Sequence, residues 1–531
     1  MHEATPDSQT ASAEASKSHR RKRESATPRQ YVLLFSLVLF AFGPLLLSWE
    51  LWNKNAPATV SGFHEITSWT EAWAPEMIRK YDPISLSSYF LESNIPLDPA
   101  FTHRAINLAL HLLAVCLLWS LLRKLRLRRT WFAVLLFAVH PAVIPVLFWP
   151  GHRHVILGFI IMLAVLNLAQ DKHSTQRYLL LMALSTIGML IHKLLLFLPL
   201  ILALITYSKD YPTRLNQYNW ILPILCINLF MGVWLFSKDG LEVTRFVLSE
   251  WSFESGHYMQ HLLKQSFSPT ELIFYQPLPE NVSYSVNTGI NLAPFLLFPP
   301  FIVLGVLNRQ HHWARNLLLG VITYILLVIP VISGPGTFIE GTPAFELFTY
   351  YAALSVLCVS CVIALDKLSS KLGIMMGVMR NFALYMVAGI LSVFSFTFAL
   401  EVKNPQNMWQ SIANQWPETS QAQIANIESI ISQENAEIKK DTLILMMQAL
   451  LEKEPDLIEI RKLMARTMEE ANQPNNALRE YRRVLREGTT DIAFLEDAAD
   501  FLVFRNLNFE AEKARQRIQQ LREAAADTPK E

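Results

Sequence analysis

Charge is scarce in this chain. Only 17% of its 531 residues are Asp, Glu, Lys or Arg, against about 25% in an ordinary soluble protein, and the mean hydropathy is positive. The deficit is local. Everything after about residue 401 is rich in Glu, Arg, Lys and Gln, so the part before it is poorer still, which excludes a soluble globular domain there. Cysteine is scarce too, and Cys116, Cys226, Cys358 and Cys361 all fall inside apolar runs. Cys358 and Cys361 form a C-x-x-C without a second pair or a histidine beside it. That excludes a zinc site of the usual spacing, and on a helix the two residues merely share a face. The tail has no cysteine, so no disulfide framework ties it to a compartment. A cleavable leader is also missing from the expectation. The apolar run 31–49 is longer than a signal-peptide core and lacks a small-residue cleavage site. It reads as a retained first span behind a disordered segment, 1–30, that carries the basic run Arg20-Arg21-Lys22-Arg23.

What is present is hydrophobic and long. Hydropathy predicts about eleven transmembrane helices, near 31–49, 105–122, 130–149, 153–170, 177–191, 192–207, 219–236, 290–307, 314–333, 345–365 and 381–400. Basic residues cluster before the first span, after the second (Arg123, Lys124, Arg126, Arg128, Arg129) and at Lys172, Arg177, Lys209, Arg214, Arg309, Arg315, Lys367, Lys371 and Arg380. With eleven spans all of these fall on one side. The positive-inside bias makes that side cytoplasmic, together with the N-terminus. The loops at 50–104, 150–153, near 192, 237–289 and 334–344 then face outward, as does the tail. A bacterial inner membrane with a periplasmic tail is the expected setting. Within 237–289, Trp251, Phe253, Tyr258, Phe267, Phe274 and Tyr275 suggest an amphipathic segment at the interface.

The tail, 402–531, reads as helical throughout. Ala465 and Ala499 lie 34 residues apart, as do Ala477 and Ala511. That is the period of a tetratricopeptide repeat, in which small residues let paired helices approach. Two repeats are clear, and a degenerate helical segment at 418–453 is expected to join the stack. A generic helical bundle is the plainer alternative. The fold expected is therefore all-α: a polytopic transmembrane bundle over 31–401 followed by a TPR-like α-solenoid.

Polar residues at membrane depth need a reason, and the outward-facing segments hold many. Glu50 follows the first span, then come His64, Glu65, Tyr81-Asp82-Pro83 and Ser87-Ser88-Tyr89. His103, Arg104, Asn107 and His111 open the second span, and His140-Pro141 lies in the third. Trp149-Pro150-Gly151-His152-Arg153-His154 turns into the fourth, His192-Lys193 follows the fifth, and Glu346 is placed at the start of the tenth.

This arrangement resembles the GT-C membrane glycosyltransferases, most closely the transmembrane-and-TPR O-mannosyltransferase-like proteins and their bacterial relatives. The resemblance covers residues 31–400 in order, with the repeats following. The family's Y-R-P and S-Y appear as Tyr81-Asp82-Pro83 and Ser88-Tyr89, and its N-x-x-x-H as Asn107 and His111. Its F-A-x-H-P followed by W-x-x-x-R is Phe137-Ala138-Val139-His140-Pro141, then Trp149 and Arg153. Its Ser-Lys is His192-Lys193, and its E-R-Y-x-Y-x-P survives as Glu346 with Tyr350 and Tyr351. Where the family carries adjacent acidic residues after the first span, this chain has Trp49-Glu50-Leu51-Trp52. The arginine of Y-R-P is Asp82, and the aspartate two residues after the family's arginine is Val155.

The resemblance implies transfer of a sugar from a polyprenyl-phosphate donor to a protein or envelope acceptor on the outer face. Such a reaction needs a carboxylate to take the acceptor's proton and cations to hold the departing phosphate. Glu50 is the best-placed base, with Glu65 and Asp82 as substitutes. Arg153, His152, His154 and Lys193 are the donor-phosphate candidates, supported by Asn107, His111, His140 and Glu346. A divalent metal is an alternative source of positive charge, with no ligand set assigned to it. The partners implied are the lipid-linked sugar, membrane lipid and a protein held by the tail; nucleic acid is not among them. Plainer roles exist for the same residues. Glu50 can be a solvated helix end, His111 and His140 helix-packing groups, Arg153 a headgroup anchor and the tryptophans an aromatic belt. A non-catalytic relative whose body anchors a TPR scaffold is the alternative function.

Overall fold

An apolar segment away from water must satisfy its own backbone, and a helix does so within one stretch of chain. The computed structural model describes residues 27–47, 68–74, 82–148, 152–171, 174–210, 215–238, 248–269, 275–277, 293–332, 336–339, 342–346, 350–370, 374–403, 405–415, 417, 420–431 and 440–527, most of them helical. The chain divides into two units, Met1–Asn404 and Pro405–Glu531. The second begins three residues after the boundary read from the sequence.

Local chemistry sets the first helices. Helix α1 (Pro28–Leu46) starts at a proline behind a capping box, in which Thr27 and Gln30 bond each other's ends. Helix α2 (Pro83–Ser93) is capped by Asp82, whose carboxylate accepts from the Ile84 and Ser85 amides at 3.1 and 2.9 Å. Helix α3 (Pro99–Lys124) is capped by Asp98 and ends on Arg123 and Lys124, which complement its dipole. Helices α4 (Thr130–Ala138) and α5 (Ile144–Phe148) are separated by a 3-10 turn over Pro141–Val143 and meet at 58°. Pro141 forces the break: His140 before it is extended, and its Nδ1 accepts from the Ala142 amide to start the new turn.

Besides a single turn over Trp69–Ala72, the further helices described in this unit are α6 (Arg153–Leu168), α7 (Thr175–Ile191), α8 (Leu198–Asp210), α9 (Leu222–Lys238), α10 (Leu248–Phe267), α11 (Phe298–Leu307), α12 (His312–Ile332), α13 (Tyr351–Ser370) and α14 (Ile374–Val402). Each of the apolar stretches picked out by hydropathy is helical over most of its described residues, the tenth only from Tyr351 on. Among the described residues five helices are long and apolar enough to cross a membrane alone, and the bent α4–α5 pair makes a sixth. Five more, including α6 and α7, are apolar but shorter. Three of these, α8, α9 and α11, are shortened because Pro199, Pro223 and Pro299 sit at their starts, leaving 3-10 turns over Lys193–Phe197, Leu215–Ile221 and Ala293–Leu297 ahead of them.

Side-chain contacts give the bundle two chemically different ends. At one, Lys124 Nζ reaches Asp171 and the Asn167 carbonyl, both at 3.0 Å, and Lys209 reaches Gln170 at 2.9 Å. Arg315 donates to the Ser208 and Arg309 carbonyls, and Arg380 to Asp366, at this same end. At the other, the last turn of α1 and the end of α5 meet the N-terminal part of α3, and Arg153 at the start of α6 meets α2. Among the described residues these basic side chains and the histidine-rich segments thus lie at different ends.

The unit is not purely helical. Strands β1 (Tyr275–Pro277), β2 (Gly336–Ile339) and β3 (Thr342–Glu346) form a three-stranded antiparallel sheet in the order β1-β3-β2. This corrects the all-α expectation locally. It also moves Glu346, which ends β3 opposite Tyr275 instead of opening a span; the helix after it begins at Tyr351. The ladder is irregular between Thr337 and Ile339, opposite Pro343, which has no N–H to give. The amphipathic stretch expected in 237–289 is the helix α10, with Ser255, Tyr258, His261, Leu262 and Gln265 buried along it.

The second unit holds α15 (Pro405–Gln415), α16 (Ser420–Ile431), α17 (Lys440–Lys453), α18 (Ile458–Glu470), α19 (Pro474–Glu487), α20 (Ile492–Phe504) and α21 (Asn508–Asp527). Helices α17, α19 and α21 begin 34 residues apart, at 440, 474 and 508, and α18 and α20 do so at 458 and 492. Ala465, Ala477, Ala499 and Ala511 are all buried between these helices. Tyr481 packs on Phe494 and Phe501, with ring centroids at 5.3 and 4.8 Å. Arg461 bonds Glu480 at 3.1 Å, with both side chains largely buried.

Candidate functional site

The polar end of the bundle is built from three short stretches whose spacing aligns their side chains. On α2, Ser88 and Glu92 are one helical turn apart, and Tyr89 lies between them on the same side. On α3, His103, Asn107 and His111 recur at four-residue intervals along one face. Arg153, the first residue of α6, enters between these two helices.

Arg153 is fully buried. Its Nε donates to Asn107 Oδ1 at 2.8 Å, and its Nη1 donates to Ser88 Oγ at 2.9 Å and to a Glu92 carboxylate oxygen. Its Nη2 donates to the His103 carbonyl at 3.2 Å. At least four of its five N–H groups are therefore engaged. The guanidinium also lies 4.6 Å from the Tyr89 ring. The second oxygen of Glu92 accepts from His103 Nδ1, so that nitrogen carries a proton and the imidazole orientation is set by the carboxylate. Burial pushes the Tyr89 hydroxyl well above its ordinary range, with Arg153 opposing.

Asp82 borders this cluster. Burial raises its carboxyl above the ordinary 3.8, opposed by its bonds to Ser85, by His154 and by its bond to Ile84. His154 stacks on His192, with ring centroids at 5.4 Å, and His192 caps the turn that follows by accepting from the Leu194 amide at 3.0 Å. Gly158 permits this approach, since a Cβ there would sit 2.6 Å from that of His192. Burial, followed by the charge of His154, holds the His152 imidazole well below its ordinary value. At neutral pH His152 therefore offers hydrogen bonds and no charge.

The supporting residues divide. Asn107 joins the Arg153 cluster and donates to the Leu147 carbonyl at 3.4 Å. His111 lies deeper, with Nε2 donating to the Ala138 carbonyl at 3.1 Å, so that Nδ1 accepts from the Tyr351 hydroxyl at 2.7 Å. His140 Nε2 donates to the Ser266 carbonyl at 3.1 Å, tying the bend to the end of α10. Glu50 and Glu65 lie outside the described residues. For Lys193 and Glu346 the backbone alone is described, Lys193 opening the turn after His192. Among the described residues no three His, Cys, Asp or Glu side chains converge as a metal site.

Glu92 and Arg104 are the residues that sequence reasoning passed over or left without a role. Arg104 is buried, donates to the Leu45 carbonyl at 3.3 Å and lies 4.9 Å from the Phe148 ring. The signal for Glu92 was its place one turn after Ser88, on the face of a motif residue.

No protein-family description and no curated protein matches this chain.

Proposed function

We propose that this chain is a GT-C type membrane glycosyltransferase with eleven spans and a TPR-like tail. It moves a sugar from a polyprenyl-phosphate donor to an acceptor on the outer face. The observation that carries this reading is the convergence of Ser88, His103, Asn107 and Arg153, from three segments, in one polar cluster that Asp82 borders, at the end of the bundle away from the basic loops. Three of these positions, Ser88, Asn107 and Arg153, match the motifs of the resemblance. In the reaction the acceptor hydroxyl gives its proton to Asp82 as its oxygen bonds the anomeric carbon. The carbon–oxygen bond to phosphate breaks, and the electron pair leaves on the phosphate. His154 and Lys193 supply positive charge to that phosphate, and Arg153 orders the wall of the site through Asn107 and Ser88. The basic end faces the cytoplasm of an inner-membrane protein, and the tail presents a protein acceptor or partner on the opposite side.

The test is transfer of labelled sugar from a polyprenyl phosphate in membranes containing the full chain. Asp82→Asn is expected to lower turnover by about 10²–10⁴-fold, the usual weight of a proton-accepting group, with membrane insertion unchanged. The acid limb of the wild-type pH profile should lie above the ordinary carboxylate value of 3.8, because the base must be ionised and burial raises it. Undiminished transfer by Asp82→Asn would sink the assignment.

One observation favours a second reading. The charge of Arg153 is already met by Glu92, as in a structural clamp. In that reading the body only anchors the tail, and deletion of 405–531 alone reproduces the whole loss of function.

A further inference from the structure

The end of the bundle opposite this cluster carries a site of its own. Three arginines converge there on one carboxylate. Arg380 Nη1 donates to Asp366 Oδ1 at 2.8 Å and to Ser369 Oγ at 2.5 Å. Arg129 Nε lies 3.6 Å from Asp366 Oδ1, and Arg128 Nε lies 3.8 Å from Oδ2. A single Asp cannot balance three guanidinium groups, so the cluster keeps an excess of positive charge. The Arg128 side chain is 66% exposed, while Asp366 is 13% exposed. The acid is inside the cluster and the surplus charge faces out.

A groove starts beside that charge. Phe382, Tyr385, Met386, Gly389, Ile390, Val393 and Phe394 of α14 line an apolar space of about 430 Å³. Its upper wall joins the arginine cluster. Phe382 is two residues from Arg380, and Tyr385 accepts from Trp131 Nε1 at 3.3 Å and packs edge-on against Phe132, two and three residues beyond Arg129. The floor is open at Gly389, where an added Cβ would meet nothing within 4 Å. From residue 382 to 394 an α-helix rises about 18 Å, close to the ~15 Å of hydrocarbon in one leaflet.

We propose that this is a binding site for one anionic phospholipid. Its phosphate sits on Arg128 and Arg129, with Arg380 holding Asp366 behind them, and one acyl chain runs down the α14 groove. Charge complementarity selects the headgroup, and the groove's length and continuity with the cluster select a lipid over a small anion. A guanidinium suits a phosphate because it presents paired donors. The site is independent of the proposed transferase.

The experiment is native mass spectrometry of the full chain in mild detergent, titrated with dioleoyl phosphatidylglycerol, with dioleoyl phosphatidylcholine and with inorganic phosphate. Phosphatidylglycerol is expected to bind and phosphatidylcholine to bind far more weakly. The double variant Arg128→Gln/Arg129→Gln should bind phosphatidylglycerol about 30-fold more weakly, from about 1 kcal/mol per basic residue at a membrane surface. Gly389→Leu, which fills open space and leaves the arginines in place, should also weaken it. Equal binding of the two lipids would overturn the proposal, as would unchanged affinity in both variants. Displacement of the lipid by millimolar inorganic phosphate would make this a small-anion site and overturn it too.

Discussion

Glu92 and Arg153 lie 61 residues apart in the chain and form a buried ion pair, with side chains 5% and 0% exposed. A pair in that setting gains little net stability over apolar residues of the same size, because both charges have lost their water. Removing one partner, however, leaves the other buried and uncompensated. His103 and Asn107 complete the arrangement, so the pair ties α2, α3 and α6 together at one point.

Glu92→Gln should destabilise the membrane unit by about 3–5 kcal/mol, the usual cost of stranding one buried charge. Thermal unfolding in detergent reads this. The double variant Glu92→Leu/Arg153→Met should recover most of the loss, and a melting point in Glu92→Gln equal to the wild type would contradict the pairing.

The two ends of the bundle should label from opposite sides. Asn94 follows α2 and Gln176 opens α7, and both are exposed. In a chain with Cys226 replaced by Ala, Asn94→Cys should react with an impermeant thiol reagent in intact cells, and Gln176→Cys only after permeabilisation. Reaction of both from one side would refute the alternating path.

Packing in the tail depends on its small residues. Ala465 and Ala499 are 0% and 2% exposed. Ala499→Leu should cost about 1–3 kcal/mol through overpacking, whereas Glu512→Leu at an exposed site should cost little. Limited proteolysis of the full chain should cut the tail faster in the first variant. Equal rates would argue against close helix contact there.

Acid should loosen the same tail. Arg482 reaches both oxygens of Glu510, at 2.8 and 2.6 Å, and lowers its carboxyl below the ordinary 4.5, against a smaller opposing effect of burial. A carboxyl lowered by folding contributes stability that is fully present above its ordinary value and is lost as pH falls through its folded one. The pair is partly exposed, so the contribution is small. Glu510→Gln should flatten the dependence of tail proteolysis on pH as pH falls below the ordinary carboxyl value of 4.5. An identical profile in the variant would show that the pair does not matter.

The residues of the candidate site were legible to different degrees. Asp82, Asn107 and Arg153 stood out because a polar residue in an apolar setting needs a partner. Glu92 did not, because one acid in a helix that also contains Ser85, Ser87 and Ser88 reads as a solvated face. Only the path of the chain shows that this face turns inward. Glu346 was misplaced for the related reason that β pairing is non-local. Its segment pairs with residues 275–277, some seventy positions away, which no periodicity within either stretch announces.

By itself the sequence determined most of the helical segments, which ends of them are basic and where the 34-residue spacing falls. Those properties depend on composition and local geometry, since hydrophobicity, proline and charge act over a few turns. The tertiary structure alone decided that Arg153 meets Glu92 inside the protein and that Arg128, Arg129 and Arg380 crowd one aspartate at the opposite end. Both are electrostatic arrangements between distant parts of the chain, and a charge finds its partner only when folding removes the water between them.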